Sequence, residues 1–290
     1  MKIRDKRHPR WLKVPLPAGK NFGEIRALVQ QKNLHTVCQS AHCPNIGECW
    51  NNRTATFMIL GDTCTRHCRF CAVKSGVPGE LDCNEPERVA EAVKTISLKY
   101  AVITSVTRDD LEDGGAEIFA ETIQCIHHSV PGCRVEVLIP DFSGDADALG
   151  KVISTQPEVL NHNLETVPRL YAEARPEADY QRSLQLLQRA KAHGMVTKTG
   201  LMLGLGEQGE EVLQVMHDLH SVKCDLLTLG QYLQPSSAHM PIARYVTPEE
   251  FDQLRDVGLE MGFAHVESGP LVRSSYHAAS LYPADSAEKG

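Results

Sequence analysis

From Ala55 to Glu267 short apolar runs alternate with longer amphipathic stretches, and this rhythm narrows the possible folds more than any other feature of the chain. Thr56–Leu60 reads as a strand, followed by a helix from about Glu85 with Asn84 as cap, Pro86 in its first turn, and Val89, Val93 and Ile96 along one face. The unit recurs as strand Tyr100–Ser105 with a helix from Asp113, strand Arg134–Leu138 with a helix near Asp145, and strand Val159–Asn161 with helices around Thr166 and over Tyr180–His193. Strands Val196–Leu203 and Leu226–Gly230 have their own helices, the first carrying Val212, Val215, Met216 and Leu219 on one stripe. The last helix runs from Pro248, opened by a Thr247/Glu250 capping box and ended by Gly262, and a short strand follows near Ala264–Glu267. Such alternation implies βα units and a parallel sheet. The expected fold is therefore α/β, a partial (β/α)6 TIM-type barrel, preferred over an open doubly wound sheet, although pattern alone leaves closure undecided. In either form the chemistry belongs at the C-terminal ends of the strands. Gly61–Cys71, Ser105–Asp110, Asn161–Thr166, Gly204–Glu207 and Gln231–Pro235 each follow one.

The barrel is expected over residues 55–267, with an N-terminal extension at 1–54 and a C-terminal segment at 268–290. Apart from a helical stretch near Phe22–Gln31, the extension has little periodic pattern. The chain's 290 residues suit one main domain. An apolar share of 42% and a charged share of 23% are ordinary for a globular protein and do not favour disorder. No apolar region follows the basic stretch Met1–Lys13, and no apolar run is long enough to cross a bilayer, so a cytoplasmic, reducing location and no membrane partner are expected. The net charge of −7 argues against nucleic-acid binding through bulk electrostatics. The basic arm reads as a solvated tail, with contact to an acidic protein as the alternative.

Ten cysteines without a secretion signal point to metal binding before disulfides. Six form two groups of three, while Cys83, Cys125, Cys133 and Cys224 are scattered and read as small buried or neutral residues. Cys64, Cys68 and Cys71 stand in C-x3-C-x2-C on one tight loop, where three thiolates can hold three irons of a cubane cluster and leave the fourth open. Structural zinc wants four closed ligands, and His67 between two of these cysteines is an awkward fourth. Arg66, Arg69 and Lys74 are expected to attract a thiolate-rich anion. Cys38, Cys43 and Cys49 form a second incomplete triad, C-x4-C-x5-C. Two incomplete triads are hard to explain by zinc and suggest two clusters.

With Phe70 before Cys71, the second loop resembles the signature of the radical S-adenosylmethionine (SAM) superfamily, C-x3-C-x-aromatic-C. The resemblance implies a partial TIM barrel, a 4Fe-4S cluster on Cys64, Cys68 and Cys71, and SAM chelating the open iron. One electron then splits SAM into methionine and a 5′-deoxyadenosyl radical. The order of the two triads, their spacings and the segment Arg273–Ala278 together resemble the lipoyl synthase family, as do Val102–Asp110, Asn161–Val167, Gly204–Glu207 and Gly230–Pro235. This likeness runs from about Val37 to Ala278 without a departure in these motifs. It implies a second, auxiliary 4Fe-4S cluster on Cys38, Cys43, Cys49 and Ser275, with Ser274 the weaker choice. A serine oxygen is a harder, weaker partner for iron than thiolate, which suits a cluster that is consumed. The implied reaction inserts two sulfur atoms at C6 and C8 of a protein-bound octanoyl chain, with the auxiliary cluster as sulfur donor. The implied partners are octanoylated carriers (lipoyl domains of 2-oxoacid dehydrogenases and the glycine cleavage H protein), an electron donor such as ferredoxin or flavodoxin, and iron–sulfur assembly or repair proteins. A monomer is expected.

Asn161, Asn163 and Glu165 follow a strand end and are candidates for SAM contact, as are Phe70, Thr107 and Lys198. A polar loop at a barrel mouth is the plainer alternative, and Lys198 equally suits a buried-edge lysine paired with Glu165. Gly204 and Gly206 are too few for a nucleotide fingerprint; as helix-opening glycines they can turn backbone N–H groups toward SAM. Asp109, Asp110 and Asp113 read as a solvated cap region. Arg273 is assigned a catalytic part, orienting the serine ligand, with a simple ion pair as the alternative. His42 and His277 border cluster ligands, and no order of motifs supports a Ser–His–Asp triad. A non-catalytic cluster carrier and a methylthiotransferase are the competing readings; a carrier needs neither the barrel nor the Phe70 loop.

Overall fold

The computed structural model describes residues 8–278 and turns the expected rhythm into one eight-stranded sheet. Residues 1–7 of the basic arm, and the part of the C-terminal segment after Ala278, lie outside the described residues. The chain opens with α1 (Lys20–Gln31), β1 (His35–Thr36), α2 (Val37–Ser40) and α3 (Ile46–Asn51). The first barrel strand, β2 (Thr56–Ile59), leads to two short strands, β3 (Thr63–Cys64) and β4 (Lys74–Ser75), that pair with each other. Then come α4 (Glu85–Ile96), β5 (Tyr100–Ser105), α5 (Ala116–Ser129), β6 (Arg134–Leu138), α6 (Ala146–Ser154) and β7 (Val159–Asn161). The second half holds α7 (Tyr171–Ala174), α8 (Tyr180–Ala192), β8 (Thr197–Leu203), α9 (Gly209–Ser221), β9 (Leu226–Gln231), α10 (Pro248–Met261) and β10 (His265–Gly269).

The strand order is β1-β2-β5-β6-β7-β8-β9-β10, antiparallel only where β1 lies on β2. Six βα units and a closing strand thus make a partial TIM-type barrel whose last strand, β10, pairs with β9 and does not return to β2. Alternation along each strand separates two environments. Phe57, Ile59, Ile103, Val135 and Val137 pack with Val89 and Val93 of α4 and Phe119 and Ile123 of α5. Leu201, Leu203, Leu227 and Leu229 do the same with the α9 stripe and Phe251. Each such fully buried side chain contributes roughly 1.5–3 kcal/mol.

The opposite phase carries polar groups. Glu136 accepts from Tyr100 Oη at 2.8 Å, from Asn161 Nδ2 at 3.1 Å and from Lys198 Nζ at 2.9 and 3.2 Å, joining four strands. Lys198 is fully buried there, so its partner is Glu136 and not Glu165.

Local signals worked unevenly. Thr247 and Glu250 form both halves of the capping box on α10, Asp145 caps α6, and Gly262 ends α10 in the left-handed region. Asn84 holds the cap position of α4 without a side-chain cap bond among the described residues, because its backbone is already helical (φ −93°, ψ 0°) and not extended as a capping residue's is. The helix expected from Asp113 starts at Ala116, with Asp113 accepting from Gly115 and Glu117 N–H at 2.9 and 2.8 Å. Around Thr166 there is only a 3-10 turn, Pro168–Leu170, running into the four-residue α7. Of the scattered cysteines, Cys133 and Cys224 are buried as expected, whereas Cys125 is half-buried and Cys83 exposed. No helix of the described residues is long and apolar enough to cross a membrane.

Candidate functional site

The second triad sits where β2 ends. Leu60 and Gly61 both adopt positive φ, 69° and 90°, and swing the chain into the loop that β3 and β4 close. Thr65 N–H donates to Thr107 O at 3.0 Å, and Thr107 N–H donates to Cys64 Sγ at 3.3 Å. The backbone of the β5 loop therefore supports the first ligand directly. Arg66 is buried, and its charge is taken up by two carboxylates. Its guanidinium holds Asp109 at 2.7 and 2.8 Å and Asp141 at 2.6 Å, so Asp109, exposed as expected, also anchors the loop. Asp110 is likewise paired, with Arg108 at 2.8 Å. Arg69 and Lys74 are exposed, Arg69 3.5 Å from Glu173. His67 turns outward to Glu177 at 3.2 Å, which removes it as a fourth ligand. Phe70 is half-buried against the second core cluster.

The loop after β7 approaches the same triad. Burial, with Cys71, Glu165 and Cys64 adding to it against Arg175, pushes the Cys68 thiol up to about 12. Burial pushes Cys71 up to about 11, with Cys64 and Glu165 again adding. Thiols in this state hold their protons unless a cation replaces them, as iron does. Glu165 has φ of 67° and bridges by its backbone to β8, donating N–H to Gly200 O at 2.9 Å. Burial raises its carboxyl, and Arg175 and Asn163 oppose that. Asn163 Nδ2 donates to Glu165 at 3.1 Å and to Ser274 Oγ at 2.7 Å. Arg175, buried, donates to Asn163 O at 2.9 Å and Leu164 O at 3.1 Å and lies 5.3 Å from the Tyr171 ring centroid. Sequence reasoning missed it; its only advance signal is a basic residue in the loop after the Asn161–Glu165 motif. His162, between the two asparagines, is fully engaged with Ile139 O and Ser183 Oγ, and burial pushes it down to about 4.

Ser105 Oγ, Asn161 Oδ1, Asn163 Oδ1, Thr166 Oγ1 and Arg175 Nε are all buried with no hydrogen-bond partner among the described residues. Orphaned groups of this kind cost free energy unless something polar meets them, and these belong to the loops and strand ends around the second triad. Three free thiols with one iron left to fill, beside unsatisfied donors and acceptors, fit a 4Fe-4S cluster with SAM. The glycine expectation is corrected. Gly204, Leu205 and Gly206 N–H groups are held by the Glu207 carboxylate at 2.6, 2.9 and 3.1 Å, and so are closed to any ligand.

The first triad is built by the extension. Thr36 accepts from Gln39 N–H and starts α2 with Cys38 in it, Cys43 N–H donates to Cys38 O at 3.0 Å, and α3 carries Cys49. Burial and the neighbouring Cys43 push Cys38 up to about 11; burial, with Cys38, Cys43 and Glu48, pushes Cys49 up to about 12; burial raises Cys43. The C-terminal segment is laid against this triad. Asn45 Nδ2 donates to Leu271 O at 2.7 Å, Tyr276 Oη to Glu48 at 3.2 Å, and His277 lies 3.6 Å from Glu48. Arg273 is close enough to Cys43 to favour its thiolate, and its Nη1 donates to Val272 O at 2.6 Å. The structure thus brings Leu271, Arg273 and Tyr276 to the segment of the first triad from more than 200 residues away, while Ser274 Oγ between them meets Asn163. His42 adopts a positive φ of 51° in the turn between Cys38 and Cys43. Among the described residues no three His, Cys, Asp or Glu converge as a single metal ion requires. This triad of free thiols, with the serine-bearing C-terminal segment close to it, fits a second cluster.

Comparison with known proteins agrees with this geometry. Residues 58–219 match the model of the radical SAM superfamily, and residues 1–43 match that of the N-terminal domain of lipoyl synthase. The lipoyl synthase of Rubrobacter xylanophilus is 60% identical over 93% of this chain and 85% of its own length. The mitochondrial lipoyl synthase of Nematostella vectensis is 54% identical over 93% of each, and that of Chlorobaculum tepidum 53% identical over 96% of each. Among solved structures, methylornithine synthase superposes with a TM-score of 0.54 at 14% identity over 87% of this chain and 72% of its own. The FeFe-hydrogenase maturase HydG of Carboxydothermus hydrogenoformans does so with 0.56 at 15% identity over 89% and 77%. These distant structures share the fold, while the sequence relatives are more than half identical along nearly the whole chain: it belongs to the lipoyl synthase family of the radical SAM superfamily.

Proposed function

We propose that this chain inserts two sulfur atoms into the octanoyl group of an octanoylated carrier protein, forming the lipoyl group, with the division of labour that its two cysteine triads suggest. The observation that carries the reading is the placement of the C-terminal segment against the first triad's segment, Leu271 on Asn45, Arg273 beside Cys43 and Tyr276 on Glu48, which a carrier of clusters would not need. When bound, the clusters and SAM supply the one-electron chemistry that breaks unactivated C–H bonds and the sulfur that replaces hydrogen. Everything else falls to the protein. Cys64, Cys68 and Cys71 hold the initiating cluster, Thr107 steadies Cys64 through its backbone N–H, and Arg66 locks the loop to Asp109 and Asp141. Asn161, Asn163 and Arg175 present their unmatched polar atoms to SAM, with Glu165 beside them, and Phe70 shields the loop from water. Cys38, Cys43, Cys49 and Ser275 hold the sulfur-bearing cluster, with Arg273 supplying positive charge beside Cys43.

In this reading residues 1–54 and 268–290 serve the auxiliary cluster and residues 55–267 the radical initiator. The electron comes from a small carrier of the ferredoxin or flavodoxin class, and iron–sulfur assembly or repair proteins restore the consumed cluster. The test is anaerobic reconstitution followed by SAM, a strong reductant and an octanoyl-lysine carrier domain, read by mass spectrometry. The expected result is roughly eight irons per chain, two four-iron clusters, with a carrier heavier by two sulfurs. Deoxyadenosine without thiolated carrier would refute the assigned substrate, and no deoxyadenosine would refute the enzyme reading.

A further inference from the structure

The loop that follows β9 reaches the second triad through two consecutive residues. His239 Nε2 lies 2.9 Å from Cys71 O, and Met240 N–H donates to Arg69 O at 2.9 Å. A carbonyl oxygen only accepts, so Nε2 carries a hydrogen and donates it. Across the ring, Nδ1 is 2.9 Å from Ser236 Oγ, which accepts from Ala238 N–H at 3.3 Å and keeps its own hydrogen for Nδ1. Ser236 O accepts from His239 N–H at 3.1 Å, and Gln234 Nε2 donates to His239 O at 2.9 Å. The imidazole is thus held at both nitrogens and its backbone at both ends. Met240 is buried, and its carbonyl accepts from Tyr232 Oη at 2.8 Å. These contacts bracket Phe70, whose ring packs against the buried cluster that includes Tyr232 and Met240. Arg69 N–H donates to Ala174 O at 2.8 Å, and Thr107 supports Cys64. The ligand loop is therefore fixed from the segments after β5, β7 and β9. Ala174 and Met240 act through their backbones, whereas His239 acts through a side chain that substitution removes alone.

We propose that His239 is a positioning residue for the initiating cluster: by holding the carbonyl of Cys71 it sets where the third thiolate, and with it the iron left open for SAM, comes to rest. The inference rests on the assignment of Cys64, Cys68 and Cys71 to that cluster and gives the loop after β9 a part in it. An open iron is aimed only as well as its three sulfurs are held, and small misplacements of reacting groups are costly in rate.

The experiment compares reconstituted wild-type protein with His239→Ala and with His239→Gln, whose amide places an N–H donor where Nε2 stands. The readouts are iron content, the electron paramagnetic resonance spectrum of the reduced protein before and after SAM is added, and the rate of deoxyadenosine formation. His239→Ala is expected to keep its iron, to alter the spectrum of the reduced cluster and its response to SAM, and to form deoxyadenosine about tenfold more slowly, the scale of one lost hydrogen bond. His239→Gln is expected to return spectrum and rate toward the wild-type values. The proposal is overturned if His239→Ala matches the wild type in both, or if His239→Gln is as impaired as His239→Ala, which would make the ring a filler of space. Should His239→Ala lose iron, a wild-type spectrum in His239→Gln still supports the proposal, and an altered one overturns it. Failure of the wild type to cleave SAM would count against the enzyme reading, while the spectra of the reduced proteins without SAM still decide the role of His239.

Discussion

The ammonium of Lys198 and the carboxylate of Glu136 meet where no solvent reaches, and each needs the other. Tyr100 and Asn161 also donate to Glu136, so the carboxylate keeps partial support if the lysine goes, but its charge does not. Lys198→Met is therefore expected to lower the unfolding free energy by about 3–5 kcal/mol, the usual cost of stranding one member of a buried pair. Chemical denaturation checks this, and a loss under about 1 kcal/mol would show that the pair is not buried as described. Adding Glu136→Gln should recover part of the loss. The residue scale is also where the sequence was least legible. Six cysteines in two triads declare themselves as candidate ligands by spacing, yet nothing local says that Lys198 pairs with a residue 62 positions away, or that Glu207 occupies the N–H groups of Gly204–Gly206. Arg66 and Arg175 look alike in the sequence. Only the fold sends the first to two aspartates and the second to the carbonyls beside Asn163.

Elements were far more legible, because strand and helix periods are local properties. Most strands start and end within a residue or two of expectation, and the capped helices α6 and α10 begin where their Asp145 and Thr247 caps stand. The misses are where tertiary contacts override local signals, as in the stretch after Thr166, whose helix shrinks to one turn so that Arg175 can reach back to Asn163 O. The C-terminal segment had no periodicity to read. Its path depends on clearance along β9: a Cβ on Gly230 would stand 2.1 Å from Val272 O, a backbone atom that cannot move aside alone. Gly230→Ala is thus expected to lift residues 272–276 from the first triad, at a stability cost of about 1–3 kcal/mol. Iron analysis after reconstitution should fall from roughly eight toward four per chain, the second triad keeping its share. Unchanged iron with unchanged stability would mean that the segment has another route.

At the scale of the whole molecule, the barrel holds apart two chemistries that have to cooperate. The loop after β2 carries one triad, the N-terminal extension carries the other, and the C-terminal segment lies against the latter while Ser274 reaches Asn163 of the former's surroundings. The central claim is that initiation and sulfur supply are assigned to different cysteines of one chain. The most direct test is Cys38→Ala, reconstituted anaerobically and given SAM, reductant and octanoylated carrier, with deoxyadenosine and thiolated carrier quantified from the same reaction. Deoxyadenosine formed with no thiolated carrier is the result this assignment predicts; loss of both, or retention of both, would contradict it.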